Sequence, residues 1–180
     1  LKSHGEITAY IARKIRDDWN GRGYDVYYDH GVSSKNTGKI VSVWNKDYKR
    51  GDELSQLDIA IVERTPDRKV VALIEIEETS DRPKTFLGDI FGVLFGKYLF
   101  FKRIGLKVGR FTTLFVVGIK QAKHEGRNRY LQDQVSKVKD GLDTRNSKIG
   151  KVVVKVFVTE DELIEKFPSE LEILLKGERF

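Results

Sequence analysis

The stretch Val70 to Glu77 reads VVALIEIE, and it constrains the chain more than any other feature. Val70, Val71, Ala72, Leu73, Ile74 and Ile76 make a nearly unbroken apolar run, interrupted only by Glu75 and, at its end, Glu77. β-branched residues at this density read as a strand. A strand this apolar belongs in the interior, where a carboxylate is costly unless something neutralises it. Alternation places Glu75 and Glu77 on one face with Val71 and Leu73, ~6.6 Å apart, and turns Glu78 to the other face with Ile74 and Ile76.

The preceding segment aims more acid at the same place. Thr65-Pro66-Asp67-Arg68 reads as a four-residue turn with Pro at its second position. Facing Thr65 with Arg68 sets a hairpin register that puts Asp58 opposite Glu75 and Gln56 opposite Glu77. Directly opposed Cβ atoms lie ~4.5–5.5 Å apart, where like charges destabilise a sheet. Three acidic side chains then converge on a surface otherwise made by Ala60, Val62, Val71 and Leu73. Such carboxylates can share protons or hold a hard cation such as Mg²⁺, which takes one or two carboxylates and completes its shell with water and phosphate oxygens. An E-x-E pair on a strand is most often a solvated face. Apolar flanks on both faces, and a second strand carrying Asp58, argue for the cation or shared-proton reading here.

Around this hairpin the 180 residues read as one domain, α/β in class. Ser3-His4-Gly5-Glu6 has the capping-box form, and Ile7, Tyr10, Ile11, Ile15 and Trp19 follow at helical spacing until Gly21 and Gly23. Strands are expected at 24–29, 40–45, 57–64, 69–78, 112–119 and 151–158. A long helix is expected from Arg82-Pro83 to about Lys102, and another around Tyr130, Leu131, Val135, Val138 and Leu142. Thr159 to Glu162 caps a short helix, and a last one starts near Ser169. Gly88, Gly92 and Gly96 form a smooth stripe, and since each Gly costs ~1 kcal/mol against Ala, close packing is expected there, on this chain's own sheet before a second copy.

The order α-β-β-β-β-α-β, with acids on the hairpin, resembles the PD-(D/E)XK nuclease superfamily. The resemblance covers roughly Ser3 to Ile119 and implies a restriction endonuclease-like core, a mixed central β-sheet flanked by helices. LDIAIV supplies Asp58 as the first acid, with Leu57 where the motif prefers Pro. ALIEIEE supplies Glu75 as the (D/E) position and Glu77 where Lys is commonest. Glu6 would fill the place of the glutamate often found in the first helix. The resemblance implies one or two Mg²⁺ (or Mn²⁺) ions on Asp58, Glu75 and the Ile76 carbonyl, with Glu77 as proton acceptor or added ligand. Glu6 has the alternative job of a capping residue. Arg82 or Lys84 would supply the positive charge that Lys usually brings.

Charge fits a polyanion partner. From Lys97 to Lys151 there are 14 Lys/Arg against 4 Asp/Glu, while the remaining residues carry 19 against 23, within a net +6. Lys120, Lys123, Arg127 and Arg129, in a basic stretch opening an extension at 120–180, are suited to phosphate contacts. The resemblance implies Mg²⁺-dependent cleavage of duplex or branched DNA, restriction-type or junction-resolving, by a homodimer. The runner-up is a nucleic-acid-binding module that keeps the fold without catalysis. His30 and His124 read as structural or surface residues. No phosphate loop, dinucleotide fingerprint or zinc spacing occurs, so no nucleotide cofactor is expected. The absence of Cys fits a reducing, cytoplasmic compartment, nothing reads as a signal peptide, and no membrane partner is expected. A chain that begins at Leu1 and holds no Met reads as a processed or trimmed product. High charge with few Asn and Gln is the pattern of proteins from hot habitats.

Overall fold

The computed structural model describes residues 5–77, 83–119 and 148–176; the side chains of 50, 83–86 and 176 are outside that description. Strand β5 (Val70–Glu77) lies at the middle of a five-stranded sheet. On one side it pairs antiparallel with β4 (Ile59–Glu63), which pairs antiparallel with β1 (Tyr24–Tyr28). On the other it runs parallel to β8 (Thr113–Ile119), and β8 runs parallel to β9 (Lys151–Phe157). A second, antiparallel sheet has the order β3-β2-β6-β7, from Glu53–Leu57, Ile40–Val43, Tyr98–Phe101 and Ile104–Leu106. The class is α/β as expected, with a mixed sheet, but the second sheet was not anticipated.

Two apolar layers sandwich the central sheet. Helix α1 (Glu6–Trp19) turns Ile7, Ile11, Ile15 and Trp19 onto one face, where they meet Ile59, Ile61, Ile74, Ile76, Phe115 and Val117. Helix α3 (Glu160–Lys176) adds Leu163, Phe167 and Leu171 to that layer. The opposite face, with Ala60, Val62, Leu73, Leu114 and Val116, is covered by the second sheet and by α2 (Pro83–Phe95) through Ile90, Val93 and Leu94. This double coverage explains the apolar reading of β5 on both faces. No described helix is long and apolar enough to cross a membrane.

Several expectations are corrected. The segment 86–101 is not one helix to Lys102: α2 stops at Phe95, and Tyr98–Phe101 pairs with β2 as a strand. Short aromatic runs suit either state, and here the free edge of β2 decides. Glu53–Leu57, of which only Leu57 is expected in a strand, forms β3 against β2. The two C-terminal helices are one, with Pro168 inside it. Proline cannot bond the carbonyl four residues back, and that carbonyl, on Ile164, instead accepts a hydrogen bond from Lys14 Nζ at 3.3 Å. At the start of the same helix, Thr159 Oγ1 accepts from the Glu162 N–H at 3.1 Å, while Glu162 Oε2 accepts from Val158, a shifted capping box. The helix expected near Tyr130 to Leu142 lies outside the described residues.

The glycine stripe packs on this chain's own sheet. A Cβ at Gly92 would come within 2.6 Å of the Leu54 carbonyl oxygen, and one at Gly96 within 1.8 Å of Ser42 Oγ, whereas Gly88 faces open space. Ser42 Oγ donates to the Gly92 carbonyl at 2.9 Å, so α2 rests directly on β2 and β3.

Candidate metal site at the end of the central hairpin

The expected turn forms, with the Arg68 N–H donating to the Thr65 carbonyl at 2.9 Å. Ile59, Ala60 and Ile61 face Ile74, Leu73 and Ala72, the register derived from the sequence. A bulge then shifts Val62 onto Val70. The extra residue, Val71, joins the α1 layer instead of standing beside Leu73. Glu75 and Glu77 keep the opposite face.

Asp58 occupies a bend between β3 and β4, where the chain leaves one sheet for the other. Continuing the pairing of Ile59 with Ile74 puts it across from Glu75. Asp58 Oδ2 accepts a hydrogen bond from the Ile76 N–H at 2.7 Å, which ties the carboxylate to β5. Its own carbonyl accepts from the Asp29 N–H at 2.9 Å. Gln56 does not face Glu77: it pairs with Val41 in the second sheet, and its amide donates to Asp29.

Glu75 keeps some exposure as a residue, yet its Oε2 is fully buried and has no hydrogen-bond partner among the described residues. Burial pushes its pKa well above the ordinary value of 4.5; Asp58, Asp89 and Glu77 push the same way, and a backbone hydrogen bond from Asp58 opposes them weakly. Asp89, on α2, is a neighbour that sequence reading missed, because a crossover helix carries no register signal linking it to β5. Burial raises its pKa too. Glu77 is half-buried and pairs with Gly118 along β8.

His30, expected to be a structural or surface residue, packs beside Asp58 and the start of α1. Its Nε2 stands 3.7 Å from Asp58 Oδ1, and its ring packs on Gly5, where a Cβ would be 2.6 Å from Cγ. Gly5 has φ 84° and precedes α1. Glu6 is the first helical residue, so it does not hold the third helical position that a capping-box glutamate takes; it is exposed. Arg82, Lys120, Lys123, Arg127 and Arg129 lie outside the described residues, and so do Glu78, His124 and the side chain of Lys84.

The donor set is all oxygen, which suits a hard divalent cation and not a soft one. Among the described residues no three His, Asp or Glu side chains form a metal-holding group, so the expected convergence of three acids reduces to the Asp58–Glu75 pair. A pair is what Mg²⁺ ordinarily takes from a protein. The unpartnered Glu75 Oε2 is the atom such an ion would satisfy. Comparison of the chain with family models, with curated proteins and with solved structures finds no match.

Proposed function

We propose that the Asp58–Glu75 pair holds a divalent cation, Mg²⁺ or Mn²⁺, and that the protein hydrolyses phosphodiester bonds in DNA on a restriction endonuclease-like core. The observation that carries this reading is Glu75 Oε2, buried and unpartnered, with three further carboxylates raising its pKa. Such a group is expensive in a fold and is explained by a ligand that restores its charge. The element order supports the same reading. Helix α1, the antiparallel strands β1, β4 and β5, helix α2 and the parallel strand β8 follow the order of the superfamily the sequence resembles.

The ion, when bound, would polarise a phosphoryl oxygen and acidify a coordinated water. The chain's own residues do the rest. Ile76 N–H holds Asp58 in place, so that its carboxylate is presented without rotamer freedom. Glu75 offers Oε2, and the Ile76 carbonyl offers a further oxygen. Glu77 accepts the proton of the attacking water at its carboxylate or joins the donor set. Arg82 or Lys84 brings positive charge to the phosphate, and the basic half of the chain holds the flanking backbone, with affinity that falls steeply in salt.

The test is cleavage of duplex and four-way-junction DNA in Mg²⁺ or Mn²⁺ by the wild type, Asp58→Asn and Glu75→Ala. Loss of cleavage with retained binding in both variants is expected. Cleavage that persists in Glu75→Ala refutes the site. Tight, salt-sensitive binding by the wild type without cleavage of either substrate refutes the nuclease and favours the binding module. Preference for the junction would select the resolving activity, and sedimentation of the complex tests the dimer.

A further inference from the structure

We infer that His30 is a positioning residue for the cation site: its imidazole sets the tilt of the Asp58 carboxylate and so raises the affinity for Mg²⁺ or Mn²⁺. The inference rests on the cation reading above and goes beyond it by giving a role to a residue outside the donor set. Among the described residues no three His, Asp or Glu side chains form a metal-holding group. The ring therefore acts through Asp58 and not as a third ligand.

Asp58 is met at both of its carboxylate oxygens. The Ile76 N–H donates to Oδ2 at 2.7 Å, and His30 Nε2 stands 3.7 Å from Oδ1. One hydrogen bond holds one oxygen; the tilt of the carboxylate plane is set by what meets the other. At 3.7 Å the contact is longer than a hydrogen bond, so the ring works through its bulk and its polar edge together. An ionised carboxylate has about four lone-pair sites, so both neighbours leave room for a cation on the same group. Ligating carboxylates are held by such outer partners, and removing one typically costs ~10–100-fold in metal affinity.

The backbone is built to bring this ring to Asp58. Tyr28 pairs with Ile59 at the end of β1, and the Asp29 N–H donates to the Asp58 carbonyl at 2.9 Å. His30 is the next residue. Gly31 follows with φ 114°, and a Cβ there would meet the Ala9 Cβ at 3.1 Å. Against the ring, Gly5 leaves empty the space that a Cβ would take 2.6 Å from His30 Cγ. Gly5 is also the N-cap of α1, and no side-chain hydrogen bond caps that helix. Ser, Asp or Asn would cap it better, yet each carries a Cβ that would strike the imidazole. The His30 side chain is 34% exposed, so filling the core does not account for it. A cap given up for a half-exposed ring is a local rule broken without gain to the fold, which marks a functional position.

The test is Mn²⁺ binding by the full chain without DNA, measured by titration calorimetry. His30→Ala and His30→Leu should each bind Mn²⁺ at least ~10-fold more weakly than the wild type. The first lacks both bulk and polar edge, the second only the polar edge. His30→Gln keeps an N–H donor at about the reach of Nε2 and should stay within ~3-fold of the wild type. Melting temperatures without cation confirm that each variant is folded. Unchanged affinity in His30→Ala or in His30→Leu overturns the inference and leaves the cation reading standing. So does a loss in His30→Gln as large as that in His30→Ala. A wild type that takes up no Mn²⁺ overturns both readings, which keeps the two failures apart.

Discussion

Replacing Glu75 by Gln should stabilise the cation-free protein and abolish its response to cation. Glu75 Oε2 is buried without a partner, and burial together with Asp58, Asp89 and Glu77 raises its pKa. The folded state therefore binds the proton more tightly than the unfolded state does. The favourable contribution is full below the ordinary value of 4.5 and is lost as pH rises through the raised folded value. At higher pH the buried carboxyl group is therefore a net cost to the fold. An unsatisfied buried polar group costs about 1–3 kcal/mol, and more when charged. Gln keeps the shape, removes the charge and can donate to the neighbouring carboxylates. A gain of about 2 kcal/mol is expected, or ~4–8 °C in melting temperature for a chain of this size. The two proteins should converge as pH falls toward 4.5. Adding Mg²⁺ or Mn²⁺ at pH 8 should reverse the ranking, since a ligand at 100 times its Kd contributes about 2.7 kcal/mol to the wild type alone. Thermal melts from pH 4.5 to 8.5, with chelator and with cation, measure all of this. A Gln variant no more stable than the wild type at pH 8 in chelator would refute the reasoning.

Other expectations follow from packing and capping. Gly92→Ala should cost about 1–3 kcal/mol from overpacking against the Leu54 carbonyl, a loss that the ~1 kcal/mol gain in helix propensity offsets only in part; Gly88→Ala, facing open space, should stabilise, and urea denaturation separates the two. Thr159→Ala removes the acceptor for the Glu162 N–H and should cost ~1 kcal/mol in the same assay. Asp58→Ala leaves the Ile76 N–H without its acceptor; about 1–3 kcal/mol should be lost, and hydrogen exchange at Ile76 should quicken while exchange at Leu73 is unchanged.

The register of the central hairpin was legible because it depends on local chemistry. Pro66 fixes the turn, and the register it sets recurs at Ile61, Ala60 and Ile59 although the bulge beside Val62 intervenes. The place where that logic failed is also physical. The bulge at Val71 leaves no composition signal, since Val suits either face, so its side was misassigned. Gln56 was carried past Asp58 on the assumption of one continuous strand, whereas β3 finds its partner in β2. Pairings between distant segments, like those of β2 with β6, depend on which edges are free and cannot be read from either segment alone. Asp89 and His30 belong to the same class: each reaches the acids through tertiary packing, with no spacing rule that links them to β5.

Asp58 and Glu75 are not equally informative about function. Asp58 lies where the chain passes from one sheet to the other, and its carboxylate accepts the Ile76 N–H at the point where the β4–β5 ladder ends. That structural job would account for an Asp with no ligand at all. Glu75 has no such account. Its neighbours in the strand are Ile74 and Ile76, its partner along β8 is Val116, and its Oε2 meets no donor. A Val or Gln there would satisfy the fold better, and local rules broken without compensation mark functional positions. The case for a cation therefore rests on Glu75, while Asp58 determines where that cation would be held. Loss of cation response in Glu75→Gln, set beside the stability lost in Asp58→Ala, separates the two roles.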